Sequence, residues 1–158
     1  SGRYYLREIS VPDGYLIEQS VIPVEFTYEN QFIAWQVVDC LHSDKQTTVE
    51  IDKRAFTSDS DDTFALTGAT LTVTDWNGNV VDSWESSDTA HVICGLHLSH
   101  DFAGNRDTSK VYTLAETCPA DGYTTARSIQ FRLEQATGDN SYLQETTVWV
   151  LHESEDAE

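Results

Sequence analysis

The sequence predicts an all-β protein, an antiparallel β-sandwich, and three observations support this class. Polar turn signals separate the expected strands, and the strongest is Asn77-Gly78, which is typical of a tight hairpin turn with positive φ at both central residues. No window carries the apolar stripe of an amphipathic helix. Eight stretches are rich in valine, isoleucine, threonine and aromatic residues, which favour strands: 22–28, 32–38, 47–51, 69–74, 79–84, 111–116, 128–134 and 146–151.

Within these stretches, residues alternate as a strand with one buried face requires. Leu71 and Val73 alternate with three threonines, which places one set toward a core and the other toward solvent. Two polar segments interrupt the strands. The acidic segment 58–63 is expected to be a solvated loop, and the segment 97–110 an exposed insertion.

Composition excludes several classes of partner. The chain has 158 residues, with 9 Lys and Arg against 27 Asp and Glu, so its formal net charge is −18. Such a surface repels the phosphates of nucleic acids and of anionic membranes, and we expect neither as a partner. The sequence contains no apolar run of about 18 residues, so no membrane insertion is predicted.

One motif occurs twice. YYLREISVPDGY (4–15) and YTLAETCPADGY (112–123) match at a constant offset of 108 residues. Upstream of the second copy lie four expected strands, from Thr47 to about Cys94, and none lies upstream of the first. The interpretation is a complete unit at 46–158 that follows the C-terminal strands of a preceding, incomplete repeat at 1–45. The strands of 1–45 lack a partner sheet, so we expect them to pack on the complete unit, to pair with a neighbouring molecule, or to be partly mobile.

Five segments carry a family resemblance: VEIDKRAF, LTGATLTVTDWNGNVVDSW, HVICGL, VYTLAETCPADGY and SIQFRL. In this order they resemble the Cna B-type (SpaA-like, prealbumin-like) repeats of Gram-positive cell-surface proteins and pilins. The resemblance implies an immunoglobulin-like or prealbumin-like sandwich that serves as a stalk or spacer repeat of an adhesin or pilin-like protein. It also implies a location outside the cell, anchored to the cell wall, with neighbouring repeats as partners, no cofactor and no enzymatic role.

Many repeats of this family form an internal isopeptide bond between a first-strand lysine and a last-strand Asn or Asp, assisted by a glutamate. The resemblance places the lysine at Lys53 and the glutamate at Glu116. In the last strand, TTVWVLHES, the partner position is held by His152 if Val148 and Val150 point inward, or by Glu153 if the other face does. An imidazole has no carbonyl to attack, so we predict that no crosslink forms and that Lys53 and Glu116 remain an ion pair. A different register would bring in Asp139 or Asn140 instead.

The partial repeat shows the same pattern without its lysine. The resemblance assigns Glu8 to the glutamate position, and Asp39 or Asp44 to the acceptor position. The matching lysine would lie upstream. This repeat therefore cannot close a bond within the chain, unless another chain donates the missing strands.

Histidines and aromatic residues offer a second function. His97 and His100 form an HxxH motif without a clear third ligand, so loop histidines are favoured over a zinc site. Trp76, beside a hairpin turn, is expected to be exposed, whereas the other tryptophans are expected in the core. Trp76, His97 and His100 are thus the candidate contacts for a host protein or a glycan.

The remaining motifs predict little chemistry. The acidic pattern at 58–62 lacks the glycine and the distant glutamate of a calcium loop, and the pattern at 75–79 is explained by its hairpin turn. No G-x-S-x-G motif and no ordered triad signature is present. Cys40, Cys94 and Cys118 have no metal-binding spacing. Cys94 and Cys118 are expected to be buried free thiols, with a disulfide between them as the open alternative.

Overall fold

A computed structural model describes residues 2–18, 20–27, 37, 44–56, 62–101 and 103–135, and the backbone of 147–153. Within these ranges the fold is all-β and contains no helix, and so no helix that could cross a membrane. The strands are β1 (Gly2–Leu6), β2 (Tyr15–Leu16), β3 (Ile22–Phe26), β4 (Lys45–Gln46), β5 (Thr48–Phe56), β6 (Thr63–Ala65), β7 (Thr70–Thr74), β8 (Val80–Glu85), β9 (His91–Cys94), β10 (Leu98–His100), β11 (Tyr112–Cys118), β12 (Ile129–Phe131), β13 (Leu133–Glu134) and β14 (Thr147–Glu153).

Two four-stranded sheets form the sandwich. One has the order β12-β11-β7-β8, and all of its pairs are antiparallel. The other is built on the long strand β5, which pairs in parallel with β14 and antiparallel with β6 and β9. The predicted sandwich class is therefore confirmed, although one pair that the sequence did not specify, β5–β14, is parallel.

The core lies between these two sheets. Burial alternates residue by residue along β5, because successive side chains of a strand point to opposite faces. Val49 and Ile51 from β5 pack with Leu71 and Val73 from β7 and with Leu114 from β11, and all are at most 4 % exposed. Each such side chain contributes about 1.5–3 kcal/mol by leaving water. The next inward position of β5 after Ile51 is Lys53, which carries a charge into the same interior.

The segment 97–110 is not wholly an exposed insertion, and the prediction was wrong for its first part. Leu98–His100 forms β10, which pairs in parallel with β13. Ser99 is 2 % exposed, and its hydroxyl donates to the carbonyl oxygen of Leu133 at 3.0 Å. Burying a serine costs little free energy when its hydroxyl has a hydrogen-bond partner. The polar composition of the segment therefore did not prevent its burial. Of the residues of this segment that the structure describes, 103–109 are exposed throughout.

The predicted type of the β7–β8 turn was also wrong. Among the described residues only glycines have positive φ, and in this turn that residue is Gly78, at φ +82°. The Gly78 amide donates to the Asp75 carbonyl, and the Asp75 amide to the Asn79 carbonyl. These bonds define a three-residue loop that closes with a left-handed glycine, in place of a two-residue turn. Asp101-Phe102-Ala103-Gly104-Asn105 has the same D-x-x-G-N pattern, and its Asp and Asn make the same bonds.

The Asp75 carboxylate accepts three hydrogen bonds from this turn. Its Oδ2 accepts from the Asn79 side-chain amide at 3.1 Å, and its Oδ1 from the backbone amides of Asn77 and Asn79 at 2.9 Å. These bonds, chiefly that of the Asn79 side chain, hold the pKa of Asp75 below its ordinary value. Because the folded pKa is depressed, the stabilisation is present above the unfolded pKa and is lost as the pH falls through the folded pKa.

We therefore expect Asn79→Ala to raise the pKa of Asp75, since the largest stabilising contact of the carboxylate is removed. The measurement is an NMR titration of the Asp75 carboxyl carbon. Asn105→Ala, in the second D-x-x-G-N turn, is the matched control and should leave the titration of Asp75 unchanged. Equal titration curves in the parent and in Asn79→Ala would contradict the role assigned to this amide.

Candidate functional site

Lys53 and Glu116 meet in the middle of the sandwich. Lys53 lies on β5 and Glu116 on β11, so the two side chains come from opposite sheets. Their Nζ and Oε2 atoms are 3.4 Å apart, and the residues are 4 % and 7 % exposed. Both occupy inward positions of alternating strands, and it was the family resemblance that had indicated the two residues together. The result is an ion pair that is almost fully removed from water.

The Glu116 carboxylate has only part of its hydrogen-bonding capacity filled. Its Oε2 also accepts from the Ala126 amide at 2.6 Å. Its Oε1 is buried and has no hydrogen-bond partner within the described part of the chain. A buried carboxylate with one unfilled oxygen depends strongly on its remaining contacts. Lys53 and Ala126 are therefore the two groups that keep this charge in the interior.

The backbone register places His152 beside Lys53. In the parallel β5–β14 ladder, Ile51 pairs with Val150, Lys53 with His152, and Arg54 with Glu153. Residue 152 is thus the nearest ladder neighbour of the lysine on the last strand. Asp139 and Asn140, the alternatives for another register, lie outside the described residues.

The two copies of the repeated motif share two local hydrogen-bond patterns. Glu8 accepts the amide of Glu18 at 2.6 Å, and Glu116 accepts the amide of Ala126 at 2.6 Å, ten residues further along in each case. The turn that follows is also shared, because the Tyr15 amide donates to the Pro12 carbonyl as the Tyr123 amide does to Ala120. Of the two acceptor candidates for this repeat, Asp44 is exposed and Asp39 lies outside the described residues.

The turn of the first copy is docked on the body of the chain. The Gly14 carbonyl accepts from the Thr47 amide at 2.9 Å, and the Thr47 hydroxyl donates to the Leu96 carbonyl at 2.6 Å. Gly14 is buried at φ +86°, and a Cβ on it would lie 2.5 Å from the carbonyl oxygen of Gly95. Such an approach is open only to glycine. Two backbone segments therefore meet here without side chains between them.

A second contact holds the residues that follow the turn. The Gln135 side chain accepts from the Ile17 amide at 3.1 Å and donates to the Ile17 carbonyl at 2.7 Å. Ile17 is 2 % exposed and Gln135 is 4 % exposed. Sequence reasoning missed Gln135, although one feature indicated it: it is a polar residue at the inward position that continues the alternation of Ile129, Phe131 and Leu133. A polar side chain at such a position requires a partner.

Trp76 was expected to be exposed, and in the structure it is half-buried. Its indole is half-buried against the core, the Lys110 ammonium lies 4.1 Å from the centroid of the ring, and His97 lies 5.1 Å away. The His97 amide donates to the Tyr112 hydroxyl at 2.9 Å, and burial raises the pKa of Tyr112. A lysine ammonium is attracted to the face of an indole, so Lys110 of the chain itself occupies the face of the Trp76 ring.

The two histidines of the HxxH motif lie in different surroundings. His97 Nδ1 lies 3.6 Å from the Asp13 carboxylate, at the docked turn. His100 ends β10, and its backbone bridges to Arg106. In the part of the chain that the structure describes, no three metal-binding side chains come together.

The thiols of Cys94 and Cys118 are exposed and free, so the expectation of burial was wrong. Cys94 ends β9 on the outward face, next to the buried Ile93. Cys118 ends β11, where a register irregularity between Glu116 and Cys118 interrupts the alternation that would have turned it inward.

Comparison with known proteins identifies the fold. No family model and no curated protein matches the chain. Among solved structures, the TIE protein of Bacillus anthracis matches 99% of this chain with a TM-score of 0.56 and 19% identity. The shaft pilin SpaA of Lactobacillus rhamnosus GG matches 71% with a TM-score of 0.51 and 17% identity. The chain spans 25% of the first protein and 51% of the second. The predicted resemblance to pilin-type repeats is confirmed at the level of fold.

Proposed function

We propose that this chain, which has the fold of shaft-pilin domains, is a mechanical spacer repeat of a bacterial cell-surface protein. The observation that carries the proposal is the parallel pairing of β5 with β14 over seven consecutive positions, from Thr48 with Thr147 to Arg54 with Glu153. These are the first and last long strands of the sandwich. Tension between neighbouring repeats would pass through them.

Parallel pairing determines how the strands resist tension. A pull on the Thr48 end of β5 and on the Glu153 end of β14 drives the strands past each other along their length. The evenly spaced hydrogen bonds of a parallel ladder are then loaded together in shear. An antiparallel pair pulled from its adjacent ends would instead open one bond at a time. The topology therefore suits a domain that stays folded under tension.

We propose further that this resistance does not depend on a covalent crosslink. The register places His152 beside Lys53, and an imidazole offers no carbonyl for the lysine to attack. Lys53 and Glu116 then act as a buried ion pair, and the strength of the unit comes from the β5–β14 hydrogen bonds and the core. The outer surface of a Gram-positive cell is the location that this role suits.

Single-molecule pulling tests the proposal. Attachment at residues 48 and 153, through introduced azide-bearing side chains, loads β5 and β14 in shear. Attachment at 56 and 153 uses the same strands but pulls from their neighbouring ends, because Glu153 pairs with Arg54. We expect the first geometry to give an unfolding force several-fold higher than the second.

Equal forces in the two geometries would contradict the mechanical role. The intact mass of the same sample provides the control for a crosslink. A mass equal to the sum of the sequence agrees with an uncrosslinked unit, whereas a deficit of one water or one ammonia shows that a bond has formed. In that case the chain would fail to extend fully, and peptide mapping would locate the residue joined to Lys53.

A further inference from the structure

The two copies of the repeated turn differ in their surroundings. Gly14 and Gly122 have nearly the same conformation, with φ of +86° and +85°. Gly14 is buried against Gly95, whereas Gly122 is exposed and a Cβ on it would meet nothing within 4 Å among the described residues. One copy of the same local structure is therefore docked, and the other presents the same shape to solvent.

The surface that holds the first turn recognises its backbone. Thr47 donates to the Gly14 carbonyl, and Gln135 bonds the amide and the carbonyl of Ile17. Gly95 contributes only its backbone to the close contact. We name these three residues, Thr47, Gly95 and Gln135, the turn receptor. Any turn with the backbone of 13–17 and a glycine at the second position meets these requirements.

The second copy shares the glycine conformation and the closing hydrogen bond of this turn. Asp121-Gly122-Tyr123 repeats Asp13-Gly14-Tyr15, and both turns are closed by an amide-to-carbonyl bond across three residues. The counterpart of Ile17 is Thr125, which is exposed. The structure has a strand at Tyr15–Leu16, which pairs with β4, and within the described residues none at 123–124. Within the described residues, Gly122 and Thr125, which correspond to the Gly14 and Ile17 that the first turn uses, lie at exposed positions.

We infer that residues 121–125 form a docking surface for the turn receptor of another unit of this kind. The contact is head-to-tail, because the turn and the receptor occupy different parts of each unit, and so it propagates along a row of units. The inference deepens the proposed spacer function and rests on it. It adds that neighbouring units of the spacer are joined by specific contacts rather than by flexible hinges. Thr125 buries less apolar surface than Ile17, so this docking is weaker than that of the first turn.

The test is a tandem chain in which residues 1–158 are followed directly by a second copy of residues 45–158. The second unit then carries a turn receptor but no N-terminal turn of its own. Tethering supplies the high effective concentration that a small contact needs. In the second unit the exposed Arg127 is replaced by lysine (Arg127→Lys). The peptides of the two units that contain residue 127, which are otherwise identical, then differ in mass.

Amide hydrogen exchange is compared at residues 121–125 of the first unit, in the tandem chain and in the single chain. We expect exchange to be slower in the tandem chain by about tenfold or more. Gln135→Ala in the second unit should abolish this protection without altering the turn itself. Gln130→Ala in the second unit, at an exposed position of β12, is the matched control and should leave the protection intact. Thr125→Ile in the first unit should increase the protection.

Equal exchange in the tandem and single chains would overturn the inference, as would protection that survives Gln135→Ala in a folded second unit. Thermal unfolding of each variant establishes that both units are folded. The pulling experiment reports on the interior of one unit, so its outcome is independent of this one. A spacer with a high unfolding force and an unprotected 121–125 turn would retain the proposed function and lose the docking surface.

Discussion

Lys53→Met is expected to lower the free energy of unfolding by about 3–5 kcal/mol, the cost of leaving a buried charge without its partner. Methionine fills the space of the lysine stem, so the loss reports the charge rather than a cavity. Glu116 would keep only the Ala126 amide as a partner, because its Oε1 has none in the described structure. Urea denaturation followed by tryptophan fluorescence gives the difference.

A double variant separates the charge from the packing. Glu116→Gln keeps a side-chain oxygen for the Ala126 amide, so Lys53→Met combined with Glu116→Gln should recover most of the lost stability. Lys53→Met combined with Glu116→Leu removes the acceptor of that amide, and should recover less. A loss below about 1 kcal/mol for Lys53→Met alone would show that water reaches the pair, since exposed ion pairs contribute that little.

Gly14→Ala is expected to release the N-terminal turn from the turn receptor. The added Cβ would lie 2.5 Å from the Gly95 carbonyl oxygen, and backbone on both sides prevents relief. The left-handed conformation at φ +86° adds about 1–2 kcal/mol for a residue other than glycine. We expect the amides of residues 15–17 to lose their protection from exchange, and limited proteolysis to remove the N-terminal segment.

Gly122→Ala controls for the conformational cost. Gly122 has φ +85° and open space around it, so alanine there meets the same strain without the contact. The difference in protection of residues 15–17 between Gly14→Ala and Gly122→Ala isolates the contribution of the contact between Gly14 and Gly95. If Gly14→Ala and Gly122→Ala left residues 15–17 equally protected, the close approach of Gly14 to Gly95 would not hold the turn in place.

Local pattern predicted much of this structure. The alternation of apolar residues located β5, β7 and β11, because a strand reverses its side chains at every residue and only one face is buried. The family resemblance assigned Lys53 and Glu116 to the lysine and glutamate positions, and the structure brings the two side chains together. The match between 4–15 and 112–123 also has a structural counterpart, since both copies bond a glutamate to the amide ten residues later.

The features that sequence reasoning missed depend on contacts between distant segments. Ile17 and Gln135 are separated by 118 positions, and nothing in either neighbourhood specifies the other. The burial of Ser99 required the parallel partner β13, and the cover over Trp76 required Lys110. The predicted type of the turn at 75–79 was wrong for a local reason. The Asp75 carboxylate accepts three hydrogen bonds from the loop. These bonds select a three-residue loop over the two-residue turn that Asn77-Gly78 favours.

Recognition through the backbone has an evolutionary consequence. The turn receptor binds the carbonyl of Gly14 and the peptide groups of Ile17, none of which changes when a side chain is substituted. Units joined in this way can drift in surface sequence, or be duplicated and reordered within a gene, and still fit one another. Selection then needs to retain only a glycine in the turn and a few polar groups that face it.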